Sequence, residues 1–118
     1  MTVAERTETT WIDVCDLDEL VPHSGVAALV GKRQVALFLV PYAEPSVYAI
    51  GNWDPLGHAN VLSRGIVGDL GGELVVASPL HKQHYRLADG SCLEEDVSAG
   101  HYPVRVVDGR VQIGLATS

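Results

Sequence analysis

The sequence predicts an all-β domain, a small β-sandwich or barrel of roughly eight to ten short strands. The chain of 118 residues is long enough for one domain, and its 47% of apolar and 19% of charged residues are typical of a globular protein. Seventeen valines favour strands, while twelve glycines and six prolines supply the turns between them. No apolar run approaches the roughly 20 residues of a membrane-spanning helix.

The N-terminal part predicts one strand and one helical turn. Residues 1–9 are polar and are expected to form a disordered leader, which precedes a single domain over residues 10–116. Residues 11–15 alternate apolar and polar side chains, as in a half-buried strand. Asp16 is expected to cap one helical turn that ends before Pro22.

The middle of the chain predicts a second group of strands and a long loop. The apolar run 35–40 has no polar face, which favours a central strand. The glycine-rich stretch 51–73 contains few β-branched residues and is expected to be an irregular, functional loop. The strands expected before this loop cover residues 27–30, 34–40 and 46–50, with turns at 31–33 and 41–45.

The C-terminal part predicts two strands separated by a second loop, and then a hairpin. Residues 74–77 form a short apolar run, a loop opens at Ser78, and a strand over 84–87 ends in the turn 88–90. The dipeptide Asp108-Gly109 suits a type I′ turn, which needs a positive φ at both central residues. The hairpin strands flanking that turn are expected over residues 103–107 and 110–113.

The charge and the cysteine content argue against several classes of partner and of binding site. Eight basic against fifteen acidic residues give a net charge of −7, and such a surface repels nucleic-acid phosphates and anionic membranes. Cys15 and Cys92 belong to no Cys-x-x-Cys pair and are expected to be ordinary small apolar residues. The N-terminus lacks the apolar segment of a secretory signal, so a cytoplasmic location is expected.

Two loops hold most of the candidate polar groups, Asn52 to His58 and Ser78 to His84. With their surroundings they give the pattern N-x-x-P…G-x-L-V-V-x-x-P-L-H-x-x-x-Y-x-L-x-D-G…Y-P-V-R-V-x-D-G-x-V. Over about residues 11–115, this pattern resembles the Rieske [2Fe–2S] domains. The resemblance implies a Rieske-like β-sandwich with a small subdomain built from two loops, residues 51–60 and 76–84.

A Rieske centre takes Cys-x-His from the first loop and Cys-x-x-His from the second, with two thiolates on one iron and two imidazoles on the other. The resemblance places Asp54 and Leu56 at the first pair of positions, and Ser78 and His81 at the second pair. Leucine has no donor atom, and carboxylate and hydroxyl oxygens are hard ligands where the cluster requires soft thiolates. A domain without a cluster, and with no cofactor of its own, is therefore expected.

A narrower resemblance, to the small subunits of cytoplasmic NADH-dependent assimilatory nitrite reductases, is carried by the segments 48–52, 54–55, 59–65, 72–80, 86–90 and 92–94, which include the strings V-L-S-R-G and V-A-S-P-L. This resemblance implies a large-subunit partner that carries FAD, an iron–sulfur cluster and sirohaem. That partner uses NAD(P)H to reduce nitrite to ammonium, whereas the small chain is not catalytic. Two alternatives are a Rieske-type ferredoxin of an oxygenase and a cluster-free interaction module of another reductase.

Two further hypotheses involve the same loops. His58, His81 and His84 together with Asp54 could hold a single metal ion, since imidazole and carboxylate suit iron or zinc. Ser78, His81 and Asp54 supply the residue types of a hydrolase triad, but no nucleophile elbow or oxyanion-hole motif accompanies them. Surface or structural roles are the simpler expectation for all of these side chains.

A partner interface is expected at the loop tips and involves Trp53, Leu56, His58, Arg64 and Lys82. Apolar side chains at the tip would dock on another subunit, because no cluster is expected beneath them. In the alternative, Trp53 folds back and fills the space of the missing cluster. Arg64 would pair either with a partner carboxylate or with Asp69 or Glu73, which lie near it in the sequence.

Overall fold

Short antiparallel strands build almost the whole fold of the computed structural model, which describes residues 8–43, 46–80 and 82–117. Two three-residue 3₁₀ helices, Leu17–Glu19 and Leu62–Arg64, interrupt them. The strands of this part of the chain are β1 (Glu8–Asp16), β2 (Gly25–Val30), β3 (Arg33–Leu39), β4 (Val47–Gly51), β5 (Trp53–Asp54), β6 (Ala59–Asn60), β7 (Ile66–Leu70), β8 (Glu73–Ala77), β9 (His84–Arg86), β10 (Val104–Val107) and β11 (Arg110–Thr117).

Strand β3 lies at the centre of the molecule because its alternate side chains enter two different cores. Val35 and Leu37 pack in the core between the sheet β2-β3-β4 and the sheet β1-β11-β10, whose Val111 and Ile113 face them. The intervening Ala36 and Phe38 pack in a second core, with Ile50, Leu62, Val76, Tyr85, Leu87 and Cys92. The apolar run over 35–40 is therefore a central strand, as the sequence predicts.

The second core connects the sandwich to the sheet β7-β8-β9. The expectation of an irregular loop over 51–73 is wrong, because this stretch contains the hairpin β5–β6, a 3₁₀ helix and strand β7. The subdomain is correspondingly larger than the two loops alone, since β7, β8 and β9 support them. Strand β7 pairs with β8 from Ile66 opposite Ala77 to Leu70 opposite Glu73.

Other expected elements are found close to their predicted bounds. The φ angles of Asp108 and Gly109 are 52° and 76°, as a type I′ turn requires. Glu19 accepts a hydrogen bond from the backbone N–H of Asp16 and so closes the first helical turn. Strand β1 begins at Glu8, so the end of the expected leader belongs to the sheet, whereas residues 1–7 lie outside the described residues. Neither helix is long enough to cross a membrane, and the described residues contain no other.

Candidate functional site

Two loops of similar build meet at one end of the sheet β7-β8-β9. The first follows β4 and contains Asp54-Pro55-Leu56, and the second follows β8 and contains Ser78-Pro79-Leu80. In the first loop the N–H of His58 donates to the carbonyl of Asp54 (2.7 Å), and in the second the N–H of Lys82 donates to that of Ser78 (3.0 Å). In both turns the N–H of residue i+4 thus donates to the carbonyl of residue i.

The last residue of each turn has a left-handed backbone, with φ of 57° at His58 and 63° at Lys82. The side chain that opens each turn also caps it. The N–H of Leu56 donates to Asp54 Oδ1 (2.9 Å), and the N–H of Leu80 donates to Ser78 Oγ (3.2 Å). The local sequence thus produces the same turn twice, because a polar cap precedes Pro-Leu in both loops.

A buried polar cluster of Asp54, Ser78 and Tyr85, here called the Asp54 cluster, joins the two loops. The exposed fractions of these residues are 0%, 1% and 0%. Ser78 Oγ donates to Asp54 Oδ2 (2.5 Å), and the Tyr85 hydroxyl donates to Asp54 Oδ1 (2.8 Å). The N–H groups of Leu56 and Gly57 complete the hydrogen bonding of the carboxylate.

The hydrogen bonds decide the charge of this buried carboxylate. Burial alone raises the pKa of Asp54, but the hydrogen bonds from Ser78, the Gly57 N–H, Tyr85 and the Leu56 N–H together hold it below its ordinary value. Asp54 is therefore ionised at neutral pH although it is enclosed. Burial and the neighbouring Asp54 carboxylate raise the pKa of Tyr85, so its hydroxyl remains a donor.

Asn52 fixes the start of the first loop. Its side chain is buried, accepts from the N–H of Ser63 (2.7 Å) and donates to Gln34 Oε1 (3.1 Å). Neither Asn52 nor Tyr85 has a role predicted from the sequence, although both belong to the motif on which the resemblance depends. Their positions within that motif are the signal from which a role could have been predicted.

Trp53 lies at the surface and does not fill the interior. It is 47% exposed and stacks on His58, with ring centroids 6.3 Å apart and an interplanar angle of 9°. The alternative in which Trp53 occupies the space of a cluster is therefore wrong. Leu56 differs from the other expected interface residues, since it is half-buried and packs against the second core.

Arg64 and Lys82 are exposed, and neither forms an ion pair with a carboxylate among the described residues. The alternative in which Arg64 pairs with Asp69 or Glu73 is wrong. Asp69 accepts from the N–H of Gly72 (2.8 Å), and Glu73 pairs with Arg86 (2.5 Å).

The geometry gives little support to a metal ion or a hydrolase. His84 Nδ1 lies 2.6 Å from Glu94 Oε2, and no group of three or more potential metal ligands occurs among the described residues, which do not include His81. Ser78 is only 1% exposed, and its hydroxyl donates directly to Asp54. A nucleophilic serine needs a base to receive its proton and a path to substrate.

Neither cysteine belongs to the two loop turns. Cys15 belongs to β1 and Cys92 to the second core, and both are free thiols. Cys92 is buried, as expected of a small apolar residue, and its thiol also donates to Glu94 Oε1 (3.7 Å), whereas Cys15 is partly buried.

By the resemblance, Asp54 and Ser78 stand at the two positions where a Rieske centre has its thiolates. Their side-chain oxygens are hydrogen-bonded to each other. Asp54 already receives four hydrogen bonds and Ser78 Oγ receives one from Leu80. Hard oxygens in this bonding state are poor donors for an iron–sulfide cluster. This donor set does not fit a [2Fe–2S] group.

Comparison with known proteins identifies the family. The model of the Rieske-like [2Fe–2S] domain matches residues 10–114. The NADH nitrite reductase small subunit of Escherichia coli K12 is 51% identical over 104 residues, which are 87% of this chain and 95% of that protein. The chain belongs to the nitrite reductase small-subunit family. Both resemblances drawn from the sequence, to the Rieske fold and to this family, are thus confirmed.

Further relatives agree with this family. The solution structure of a nitrite reductase [NAD(P)H] small subunit from Erwinia carotovora has 50% identity and a TM-score of 0.75, and the match covers 92% of this chain and 83% of that one. A nitrite reductase [NAD(P)H] large subunit from Klebsiella oxytoca is 45% identical over 105 residues, which are 88% of this chain and 11% of that protein. The alternative of an oxygenase ferredoxin is less well supported, since an anthranilate 1,2-dioxygenase ferredoxin from Burkholderia cepacia is only 27% identical.

Proposed function

We propose that this chain is the non-catalytic small subunit of a cytoplasmic NAD(P)H-dependent nitrite reductase. It binds a large subunit in which NAD(P)H, FAD, an iron–sulfur cluster and sirohaem carry the reduction of nitrite to ammonium. The observation that supports this most strongly is the 51% identity across 95% of the Escherichia coli small subunit. The similarity of the chain to a segment of the Klebsiella oxytoca large subunit supports the choice of partner.

In this proposal the chain binds no iron–sulfur group. The Asp54 cluster holds the two loops together in its place. A Rieske centre ties two loops together through metal–ligand bonds. Here Asp54 of the first loop and Ser78 of the second meet directly at 2.5 Å, and Tyr85 of β9 joins them. The loops therefore keep a defined surface without a redox group, and the chain contributes binding and positioning rather than electron transfer.

The surface offered to the large subunit is the loop tip. Trp53 and His58 form an exposed, stacked pair there, and Arg64 and Lys82 present positive charge. A large aromatic side chain at the centre of an interface commonly carries about 2 kcal/mol or more of the binding free energy.

The accessory role is tested with the purified large subunit. We expect the isolated chain neither to oxidise NADH or NADPH nor to reduce nitrite, and we expect its addition to raise the turnover of the large subunit. Equal turnover with and without the chain would overturn the proposal. Thermally unfolded chain at the same concentration serves as the control for non-specific protein effects.

The absence of a cluster is tested separately by anaerobic reconstitution with iron and sulfide. We expect no visible absorption and no Rieske-type EPR signal, whereas a cluster-bearing Rieske ferredoxin treated in parallel gives both. Stoichiometric iron with that signal in this chain would contradict the cluster-free proposal and leave the family assignment unaffected.

A further inference from the structure

A groove of about 600 Å³ lies beside the second loop, between the start of β7 and the start of β9. Ile66 and Pro79 contribute apolar surface to it, and Arg64, Lys82 and His84 contribute basic groups. Ile66 is 77% exposed although it begins a strand of the subdomain sheet. Strand β7 is also an edge strand, since it pairs only with β8 in that sheet.

The groove carries positive charge on a protein whose net charge is −7. Among the described residues, no acidic side chain lines the groove, and neither Arg64 nor Lys82 has a carboxylate partner. His84 is bonded to Glu94, so the unmatched charge comes from Arg64 and Lys82. Arg86 is neutralised by Glu73, and Arg110 by Asp13 and Asp16, whereas Arg33 and Arg105, which lie outside the groove, also have no carboxylate partner among the described residues.

From the positive charge and the exposed apolar surface of the groove, we infer that it binds an acidic segment of the large subunit. Carboxylates of that segment would lie against Arg64 and Lys82, and an apolar side chain against Ile66 and Pro79. The inference rests on the proposed function, and it names the chemistry that the partner must present. A polyanion such as nucleic acid fits poorly, because the surrounding surface is acidic and two cations bind few phosphates. An exposed isoleucine beside the charges favours a protein segment over a small inorganic anion.

The test uses the whole chain and the purified large subunit. The double variant Arg64→Glu with Lys82→Glu reverses the charge of the groove, and Lys32→Glu with Arg33→Glu makes the same change in net charge at the exposed β2–β3 turn. We expect the groove variant to bind the large subunit at least tenfold more weakly, because like charges placed against each other oppose binding. The turn variant should bind within about threefold of the wild type, and added salt should weaken the wild type more than the groove variant.

A second variant, Ile66→Ser, removes the apolar contact while the charges remain, and it should also weaken binding. Melting temperatures of all variants are measured to show that each one folds. Equal weakening by both charge variants, or no weakening by the groove variant, would overturn the inference while the proposed function stands. If the wild type does not bind the large subunit at all, the proposed function itself is wrong.

Discussion

Asp54 shows how a single side chain can hold two loops together. An ionised carboxylate without partners is too costly to bury, but four hydrogen bonds satisfy this one. Two of these bonds come from its own turn, one from Ser78 and one from Tyr85, so the same charge orders the first loop and ties it to the second. Hydrogen bonds to charged groups each contribute about 1.5–3 kcal/mol, which makes the Asp54 cluster a major local source of stability.

The first prediction concerns Asp54→Asn and acid stability. At neutral pH we expect the free energy of unfolding to fall by about 1–3 kcal/mol, because an amide accepts fewer of these hydrogen bonds. The pKa of Asp54 is lowered in the folded state, so its contribution is present above the ordinary pKa, about 4, and is lost as pH falls through the folded value. The stability of the wild type should therefore fall more steeply below about pH 4 than that of the variant.

Urea unfolding at a series of pH values measures this difference. Glu95→Gln serves as the control, since it removes an exposed carboxylate and should leave the acid slope close to that of the wild type. Parallel curves for the wild type and Asp54→Asn would show that the buried carboxylate is not the acid-sensitive group.

At the scale of elements, the two loops depend on close approach between their turns. A Cβ added at Gly57 would lie 2.6 Å from Leu80 Cδ1 and 2.9 Å from Asp54 Oδ2. Leu80 can move, whereas the carboxylate oxygen is held by Ser78. The lack of a side chain at this position is therefore what lets the first loop fold over its own cap and touch the second loop.

The second prediction is that Gly57→Ala destabilises the chain by about 1–3 kcal/mol, as overpacking does. The φ of Gly57 lies outside the left-handed region, so the backbone accepts alanine and the cost is steric. Gly68→Ala is the matched control, since a Cβ there meets nothing within 4 Å and should be neutral or slightly stabilising. Equal melting temperatures of the two variants would show that the loop contact is unimportant.

Most elements could be predicted because their signals are local. The alternation over 11–15, the Asp108-Gly109 turn and the doubly apolar run over 35–40 each indicate one conformation. Strand β7 could not be predicted from the sequence, because it contains Gly68 and Asp69, which are both poor strand formers. Its pairing with β8 is a tertiary effect. Likewise, spacing locates Asp54 and Ser78, but no pattern in the sequence reveals their hydrogen bond or the outward position of Trp53.

At the scale of the whole molecule, the two cores are distinct from the exposed loop groups that we propose for recognition. Two cores share β3, whereas the exposed side chains of the loops lie at the end of the subdomain sheet and belong to neither core. Trp53 is partly exposed and contacts His58, so its removal leaves the cores intact. The proposed interface therefore predicts that binding and folding can be changed independently.

The third prediction uses this separation. Trp53→Ala should weaken binding to the large subunit about thirtyfold, which corresponds to about 2 kcal/mol. Its free energy of unfolding should change by less than about 1 kcal/mol, as is usual for exposed positions. Tyr42→Ala, at a side chain that is 71% exposed in the β3–β4 turn, is the control and should change neither quantity much. An unchanged dissociation constant for Trp53→Ala would remove the loop tip from the interface.

The fourth prediction is a complex with one small chain for each large chain. In the Klebsiella oxytoca large subunit, the segment similar to this chain is part of the large chain itself, and this favours one copy per large chain. Covalent linkage provides an effective concentration of about millimolar, which a separate small chain lacks. A separate chain must therefore bind through a surface of its own, about 1,000 Å² or more in total. Titration of the large subunit, followed by calorimetry and native mass spectrometry, should saturate at one equivalent, and saturation at two would contradict the prediction.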